Sequence, residues 1–314
     1  VSLPSSQISP HRASRVELSG RWGPLAALHR PARATGNEDG TDDGGTNLGA
    51  VALLVPGYTG SKEDFAPLLD PLAEAGIEVL AVDLPGQYES AGPADEPAYL
   101  PGPLGATLVP LVEALAGGNG LPGRAAFGPR PVILVGHSYG GLVARGAVLA
   151  GAPASGLVLL DSGPGQLPDG ERRQALELAE PLLRAQGIEA VQRLREAREA
   201  AHPRWARLPL ELKDFYRRRF LASHPAALLG MAHGLRSEPD RVEALADRLR
   251  ARGVPCLVAC GAEDDAWSVA AQREMAERLG ADFAVIPGAA HSPNVENPEG
   301  LLATLLPTLR SWLA

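Results

Sequence analysis

Ser138 sits between glycines in Gly136-His137-Ser138-Tyr139-Gly140, directly after the apolar run "PVILVG" and before the small-residue stretch "GLVARGAVLAG". A strand that turns this sharply into a helix holds its central residue in a strained conformation. The strain pushes that side chain out at the carboxyl edge of a sheet. Glycines at both flanks remove the Cβ atoms that would collide inside the turn. A serine presented this way is a poor nucleophile until a base takes its proton. His291 supplies one, in a loop just past the run "ADFAVIPG". The preceding run, "VPCLVACG", leads into "GAEDDAWS", which places Asp264 and Asp265 at another strand end. A hydroxyl, an imidazole and a carboxylate at three separate strand ends are the parts needed for acyl transfer through a covalent intermediate.

The elements that would carry these residues are legible. "GAVALLVPG", "IEVLAVDLPG", "PVILVG", "GLVLLDSG", "VPCLVACG" and "ADFAVIPG" are short, nearly all apolar, and end in glycine. Such runs fit strands covered on both faces, as in a parallel sheet. "RVELSG" and "PLAALH" are expected to add an antiparallel edge. Helical patterns lie between the runs. Ser61 and Asp64 form a capping-box pair, Phe65, Leu68, Leu69 and Leu72 make an apolar stripe, and Gly76 stops the helix. Leu104, Leu108, Leu111, Val112 and Leu115 mark a second helix. Asn297 and Pro298 open the last one as N-cap and first helical residue. Alternation of this kind predicts an α/β fold with a mostly parallel central sheet flanked by helices.

Two stretches interrupt the alternation. Residues 32–49, "ARATGNEDGTDDGGTNLG", are acidic and glycine-rich without apolar periodicity, and are expected to form a mobile solvated loop. Asp39, Asp43 and Gly44 match part of a calcium loop, but Thr41 and Ala50 occupy positions where such a loop needs ligands. Residues 164–236 are far more than one crossover requires and read as several amphipathic helices, one bearing Leu208, Leu212, Phe215 and Phe220 beside Arg217, Arg218 and Arg219. An all-helical insertion between two strands is expected to lie over the site as a lid. The arginines are read as a solvated face.

Bulk composition narrows the function classes. The 314 residues carry a formal net charge of −8, which offers no basic footprint for nucleic acid. No apolar run reaches the ~18 residues of a membrane span. Lysine occurs only at positions 62 and 213 while arginine abounds, which reads as nucleotide composition, not chemistry. Cys256 and Cys260 would lie on one face of a strand roughly 13 Å apart, too far for a bridge, and read as core residues. His202, His224 and His233 fit no zinc spacing. The expectation is therefore a cytoplasmic protein without metal or cofactor, with a leader removed ahead of Val1 left open. Oligomeric state is not legible.

"VGHSYGG", "CGAEDDAW", "IPGAAHSPNVENP" and "AVDLPGQYES" together resemble the nucleophile, acid, histidine and glycine-turn segments of α/β-hydrolase-fold serine hydrolases, uncharacterised actinobacterial members among them. The resemblance runs from the first strands to the last helix. It implies an esterase-like core in residues 1–163 and 237–314 and a helical cap in residues 164–236. It also implies the chain order serine, acid, histidine. The acid is then Asp264, third after Gly261, with Asp265 and Asp161 as alternatives, since some members place it after the strand ending at Asp161. "VPGYTGSKEDF" occupies the oxyanion loop, with Pro56 where histidine is common, so the backbone N–H groups of Tyr58 and Tyr139 are expected to hold an oxyanion. Gln87 and Tyr88 stand where the family usually has His and Gly. His137 is expected to be structural, pointing back into the sheet edge, and Trp267 either lines the pocket or packs.

The expected reaction is hydrolysis of a carboxylic ester or thioester of a small-molecule acyl substrate. Peptide, lactone or C–C cleavage, acyl transfer, and a binding module with an idle site remain as alternatives. A serine at position 138 excludes the epoxide-hydrolase and dehalogenase routes, which need an aspartate nucleophile.

Overall fold

The computed structural model describes residues 5–33, 48–119, 128–201 and 203–314. Most of the acidic stretch, with Asp39, Thr41, Asp43 and Gly44, lies outside the described residues, as does His202. Among the described residues, eight strands form one sheet: β1 (Ser14–Gly20), β2 (Gly23–Arg30), β3 (Ala50–Val55), β4 (Ile77–Val82), β5 (Val132–His137), β6 (Gly156–Leu160), β7 (Cys256–Gly261) and β8 (Asp282–Ile286). Their order is β1-β2-β4-β3-β5-β6-β7-β8. β1 pairs antiparallel with β2, and β2 antiparallel with β4; all remaining pairs are parallel.

The continuous hydrophobicity of the central strands has a direct cause. Val51, Leu53 and Val55 of β3 face one apolar layer, while Ala52 and Leu54 face the other. The first layer is closed by α2 (Pro101–Ala116), α3 (Tyr139–Leu149), α9 (Val242–Arg252) and α10 (Val269–Leu279). The second is closed by α1 (Ala66–Glu74) and α12 (Pro298–Leu313), through Leu68, Leu69, Leu72, Leu301, Leu305 and Leu309. Strand residues on both faces therefore leave water, and each buried Leu or Val contributes roughly 1.5–3 kcal/mol of burial free energy.

The helix expected from Ser61 starts differently. The Ser61–Asp64 capping box is present, but Lys62–Phe65 is a 3₁₀ turn and α-helix begins only at Ala66. Pro67 has no N–H to donate back to Glu63, so the first turn tightens. Asn297 caps α12 by accepting the Gly300 N–H at 2.9 Å, with Pro298 at the first helical position.

Between β6 and β7 run α4 (Glu171–Gln186), α5 (Ile188–Ala200), α6 (Pro203–Ala206), α7 (Leu210–Ala222) and α8 (Pro225–Ser237), ahead of α9. Leu183, Val191, Phe220, Leu228 and Leu229 give these helices a small apolar cluster of their own, against which Tyr58 packs. Ala227, Met231 and Leu235 of α8 face the main core instead, so the insertion is anchored to the sheet layer. The three consecutive arginines do not share a solvated face. Arg217 and Arg218 are exposed, whereas Arg219 is buried and its Nη1 lies 2.6 Å from Asp64 Oδ1. Helical geometry puts Arg219 on the same side as Phe215 and Tyr216, over whose rings its guanidinium rests.

Candidate active site

Ser138 stands between β5 and α3 with φ 55° and ψ −121°, a backbone conformation that L-residues rarely adopt. The turn closes because Gly140 approaches the end of the neighbouring strand β3. A Cβ there would lie 2.2 Å from the Val55 carbonyl oxygen. The Ser138 N–H donates to the Leu160 carbonyl at 2.8 Å, which ties the turn to β6.

Past β8, the loop bearing His291 is held by an acceptor that nothing in its local spacing marks. Glu296 Oε2 accepts the N–H groups of both Ala290 and Ser292, one on each side of the histidine, at 2.8 and 3.1 Å. His291 Nε2 lies 2.9 Å from Ser138 Oγ, and its Nδ1 lies 2.8 Å from Asp264 Oδ1. The Nδ1–H tautomer, donating to Asp264, leaves the Nε2 lone pair facing the serine hydroxyl.

The Asp264 carboxylate is shut off from solvent. Burial works to raise its pKa, but the hydrogen bond and charge of His291, the Ala266 N–H and the Gln272 amide overcome that and hold it below the ordinary value. Gln272 Nε2 reaches Asp264 Oδ2 at 2.7 Å and the Trp267 carbonyl at 2.8 Å. Asp265, one residue on, points outward to Arg172 at 2.6 Å and is exposed. Asp161 is fully buried at the end of β6, its Oδ1 accepting the Gly261 N–H at 2.9 Å. Asp161, Asp264 and His291 are the one group among the described residues spaced closely enough to hold a metal ion, but both imidazole nitrogens are already engaged.

His137 does not point back into the sheet. Its ring lies against the site, and Nε2–H donates to the His291 carbonyl at 2.6 Å. Gly57 makes the room: a Cβ there would sit 3.0 Å from Ser138 Cβ and 3.4 Å from His137 Nδ1. Burial first, then the nearby His291 charge, brings the His137 pKa down to about 4, so the ring is neutral. Tyr58, next along the chain, lines the same cavity as Ser138. Tyr139 begins α3, and its N–H has no intrahelical acceptor. Trp267 packs: it is buried, and its Nε1–H donates to the Gln166 carbonyl at 3.2 Å. His224 caps α8, accepting the Ala226 N–H, and His233 is exposed.

The departures at Gln87 and Tyr88 have a structural answer. Gln87 Nε2 donates to the Gly57 carbonyl at 2.7 Å while its Oε1 accepts the Leu84 N–H at 3.1 Å. Tyr88 keeps the left-handed backbone expected of a glycine, at φ 39°. Lys62 Nζ lies 4.8 Å from its ring centroid, and Phe215 meets it edge-on.

Ser138 and His291 open into a cavity of about 340 Å³ whose walls include Gly57, Tyr58, Leu167, Leu176, Arg172 and Arg219. Gln7 and Asn294, which local sequence patterns do not mark, also line it. Gln7 bridges Asp64 and the Tyr216 hydroxyl, and Asn294 donates to the Asp64 carbonyl.

The sheet order, its flanking helices and the placement of Ser138 after β5 define an α/β-hydrolase fold. Residues 52–304 match the alpha/beta hydrolase family, and the chain belongs to it; it is an enzyme of that family. A relative from Escherichia fergusonii, a 2-succinyl-6-hydroxy-2,4-cyclohexadiene-1-carboxylate synthase, is 33% identical over 186 residues, covering 56% of this chain and 68% of its own. Among solved structures, a thermophilic esterase from Thermogutta terrifontis superposes with a TM-score of 0.68 at 22% identity, over 96% of this chain and 100% of its own. MenH from S. aureus superposes at 0.67 and 19% identity, over 92% and 99%. The enol-lactonase from Burkholderia xenovorans does so at 0.68 and 18%, over 95% and 99%. At these identities the structural likeness shows the fold. No helix among the described residues is long and apolar enough to cross a membrane.

Proposed function

We propose that the protein hydrolyses a carboxylic ester or thioester through an acyl-enzyme on Ser138. The observation that carries this reading is the unbroken chain from Ser138 Oγ through His291 to Asp264, at 2.9 and 2.8 Å, opening into the cavity. His291 Nε2 takes the hydroxyl proton as Ser138 Oγ attacks the acyl carbon. The tetrahedral oxyanion is met by the N–H groups of Tyr58 and Tyr139, and Asp264 stabilises the imidazolium. His291 then protonates the leaving alcohol or thiol, whose bond to the acyl carbon breaks. Water, deprotonated by His291, releases the acid and restores Ser138. The helices of residues 164–236 act as the cap that walls the acyl site.

A fluorophosphonate probe tests the nucleophile. It should label the native protein and fail to label Ser138→Ala; native protein that never labels points to an idle binding module. A panel of p-nitrophenyl esters and acyl thioesters of increasing chain length then reads the substrate class.

A second reading follows from the 33% identity to the synthase relatives and from the polar wall made by Arg172, Arg219, Gln7 and Asn294. In it the same three residues serve the activity that those relatives' name gives, the synthesis of 2-succinyl-6-hydroxy-2,4-cyclohexadiene-1-carboxylate. Formation of that product, with esters and thioesters left untouched, would replace the first reading.

A further inference from the structure

Asp161 is a buried ionisable group beside the triad that the proposed mechanism leaves without a task. It ends β6 with φ 47°, in the left-handed region that a non-glycine residue occupies only when its surroundings enforce it. Its N–H donates to Ala259, and its Oδ1 takes the Gly261 N–H, so the backbone of β7 grips it from one side. Its Oδ2 is buried and receives no N–H or hydroxyl donor among the described residues. The acid of the triad lies beside this carboxyl group: one carboxyl oxygen each of Asp161 and Asp264 and a ring nitrogen of His291 lie within 4.8 Å of one another.

Two carboxylates this close in a dry pocket cannot both ionise without large cost. Their neighbours decide which keeps the proton. Asp264 has three donors: His291 Nδ1, the Ala266 N–H and the Gln272 amide. Asp161 has one, the Gly261 N–H. The other titratable groups around Asp161 do not favour its charge. Glu296 adds a further negative charge from α11 (Pro293–Glu296), and burial pushes the Cys260 thiol of β7 up to about 12, leaving it neutral. No lysine or arginine pairs with Asp161 among the described residues.

From this arrangement we infer that Asp161 is a positioning residue, a neutral carboxylic acid whose O–H donates to the Asp264 carboxylate, so that the pair presents a single negative charge to His291. The geometry accounts for the orphaned oxygen, which is then a donor and not an unpaired acceptor. Burial, then the charge of Asp264, pushes the Asp161 pKa well above the usual carboxylate range, in the same direction. The role is to keep Asp264 in one orientation and to moderate how strongly it stabilises the imidazolium. The inference rests on the triad proposed above.

The test is the pH dependence of fluorophosphonate inactivation, with folding checked by near-UV circular dichroism. Asn can donate to Asp264, accept from Gly261 and tolerate a left-handed backbone. Asp161→Asn should therefore inactivate within about threefold of the parent rate, with its acid limb unmoved. Asp161→Ala, lacking the donor, should slow about tenfold and shift the acid limb upward, because an unrelieved Asp264 charge favours imidazolium. If Asp161→Asn instead lowers the acid limb by about one pH unit, a negative charge has been removed and the neutral-acid assignment is overturned. It is also overturned if folded Asp161→Asn is as slow as Asp161→Ala, or if folded Asp161→Ala behaves as the parent. Should Asp161→Ala not fold, the Asn variant alone decides. Parent protein that never reacts would sink the triad reading itself, a different result from any of these.

Discussion

The side chain of Gln87 donates a 2.7 Å hydrogen bond to the carbonyl of Gly57, joining the turn after β4 to the loop in which Gly57 packs against Ser138. Both partners are buried, and the second half of the Gln87 amide is fixed by the Leu84 N–H. The peptide that begins with this carbonyl ends with the Tyr58 N–H. Holding one end of that plane therefore aims the other.

Gln87→Ala should release this peptide and leave the Gly57 carbonyl without its partner. The expected cost is about 1–3 kcal/mol in stability. In ester hydrolysis kcat should fall by roughly 10- to 100-fold with KM little changed, because the oxyanion donor proposed at Tyr58 would act in the transition state. Gln87→Glu, which cannot donate, should resemble Ala. An unchanged kcat in both variants would detach the turn from catalysis.

Asp264→Asn should lower kcat by about 10⁴ without unfolding the protein, since an amide favours the wrong imidazole tautomer. Asp265→Asn, altering only an exposed contact with Arg172, should stay near the parent rate. Steady-state kinetics on the best ester of the panel, with both variants side by side, decide between the two neighbouring acids.

Arg219 is the buried cation by which α7 meets the loop after β3. Arg219→Ala leaves Asp64 with the Gln7 amide and the Ser61 N–H but without its counter-charge. A stability loss of roughly 2–4 kcal/mol is expected, read as a lower denaturant midpoint. Because Arg219 also lines the cavity, KM for acyl substrates should change. Adding Asp64→Asn to the Ala variant should restore part of the stability; no restoration would mean that the ring contacts with Phe215 and Tyr216, not the ion pair, hold the helix.

Acid should weaken the antiparallel side of the sheet through Glu78 of β4, which pairs with β2 and β3. Burial opposes its charge, but hydrogen bonds from His29 and Arg130 prevail and bring its pKa to about 2 from an ordinary 4.5. A lowered folded pKa means that the unfolded chain binds the proton first. The stabilisation is thus complete above pH 4.5 and is lost as the pH falls toward 2, up to about 3 kcal/mol in all. Urea titrations of the parent and Glu78→Gln between neutral and acid pH should converge as the pH drops. Parallel curves would assign the acid sensitivity elsewhere.

The local order of this chain was written in its residues. Continuous apolar runs named the strands, glycines and capping residues ended or began the helices, and Gly-x-Ser-x-Gly between a strand and a helix singled out Ser138. These are short-range effects: torsional preference, capping and one-sided burial act within a few residues, so a linear reading reaches them. The edge strands, the parallel core, and the candidates Ser138, His291 and the Asp264–Asp265 pair were reachable this way, while the choice of Asp264 within that pair rested on the family resemblance. Tertiary structure alone decided the rest. It turned Arg219 inward while Arg217 and Arg218 stayed in water, swung His137 onto the His291 carbonyl, and sent Asp265 outward. It brought Gln7 and Asn294 to the cavity wall, Gln87 onto the Gly57 carbonyl, Gln272 onto Asp264 and Glu296 onto the histidine loop. Their partners are chosen by burial and by the need to satisfy each buried polar group, and neither leaves a periodic trace along the sequence.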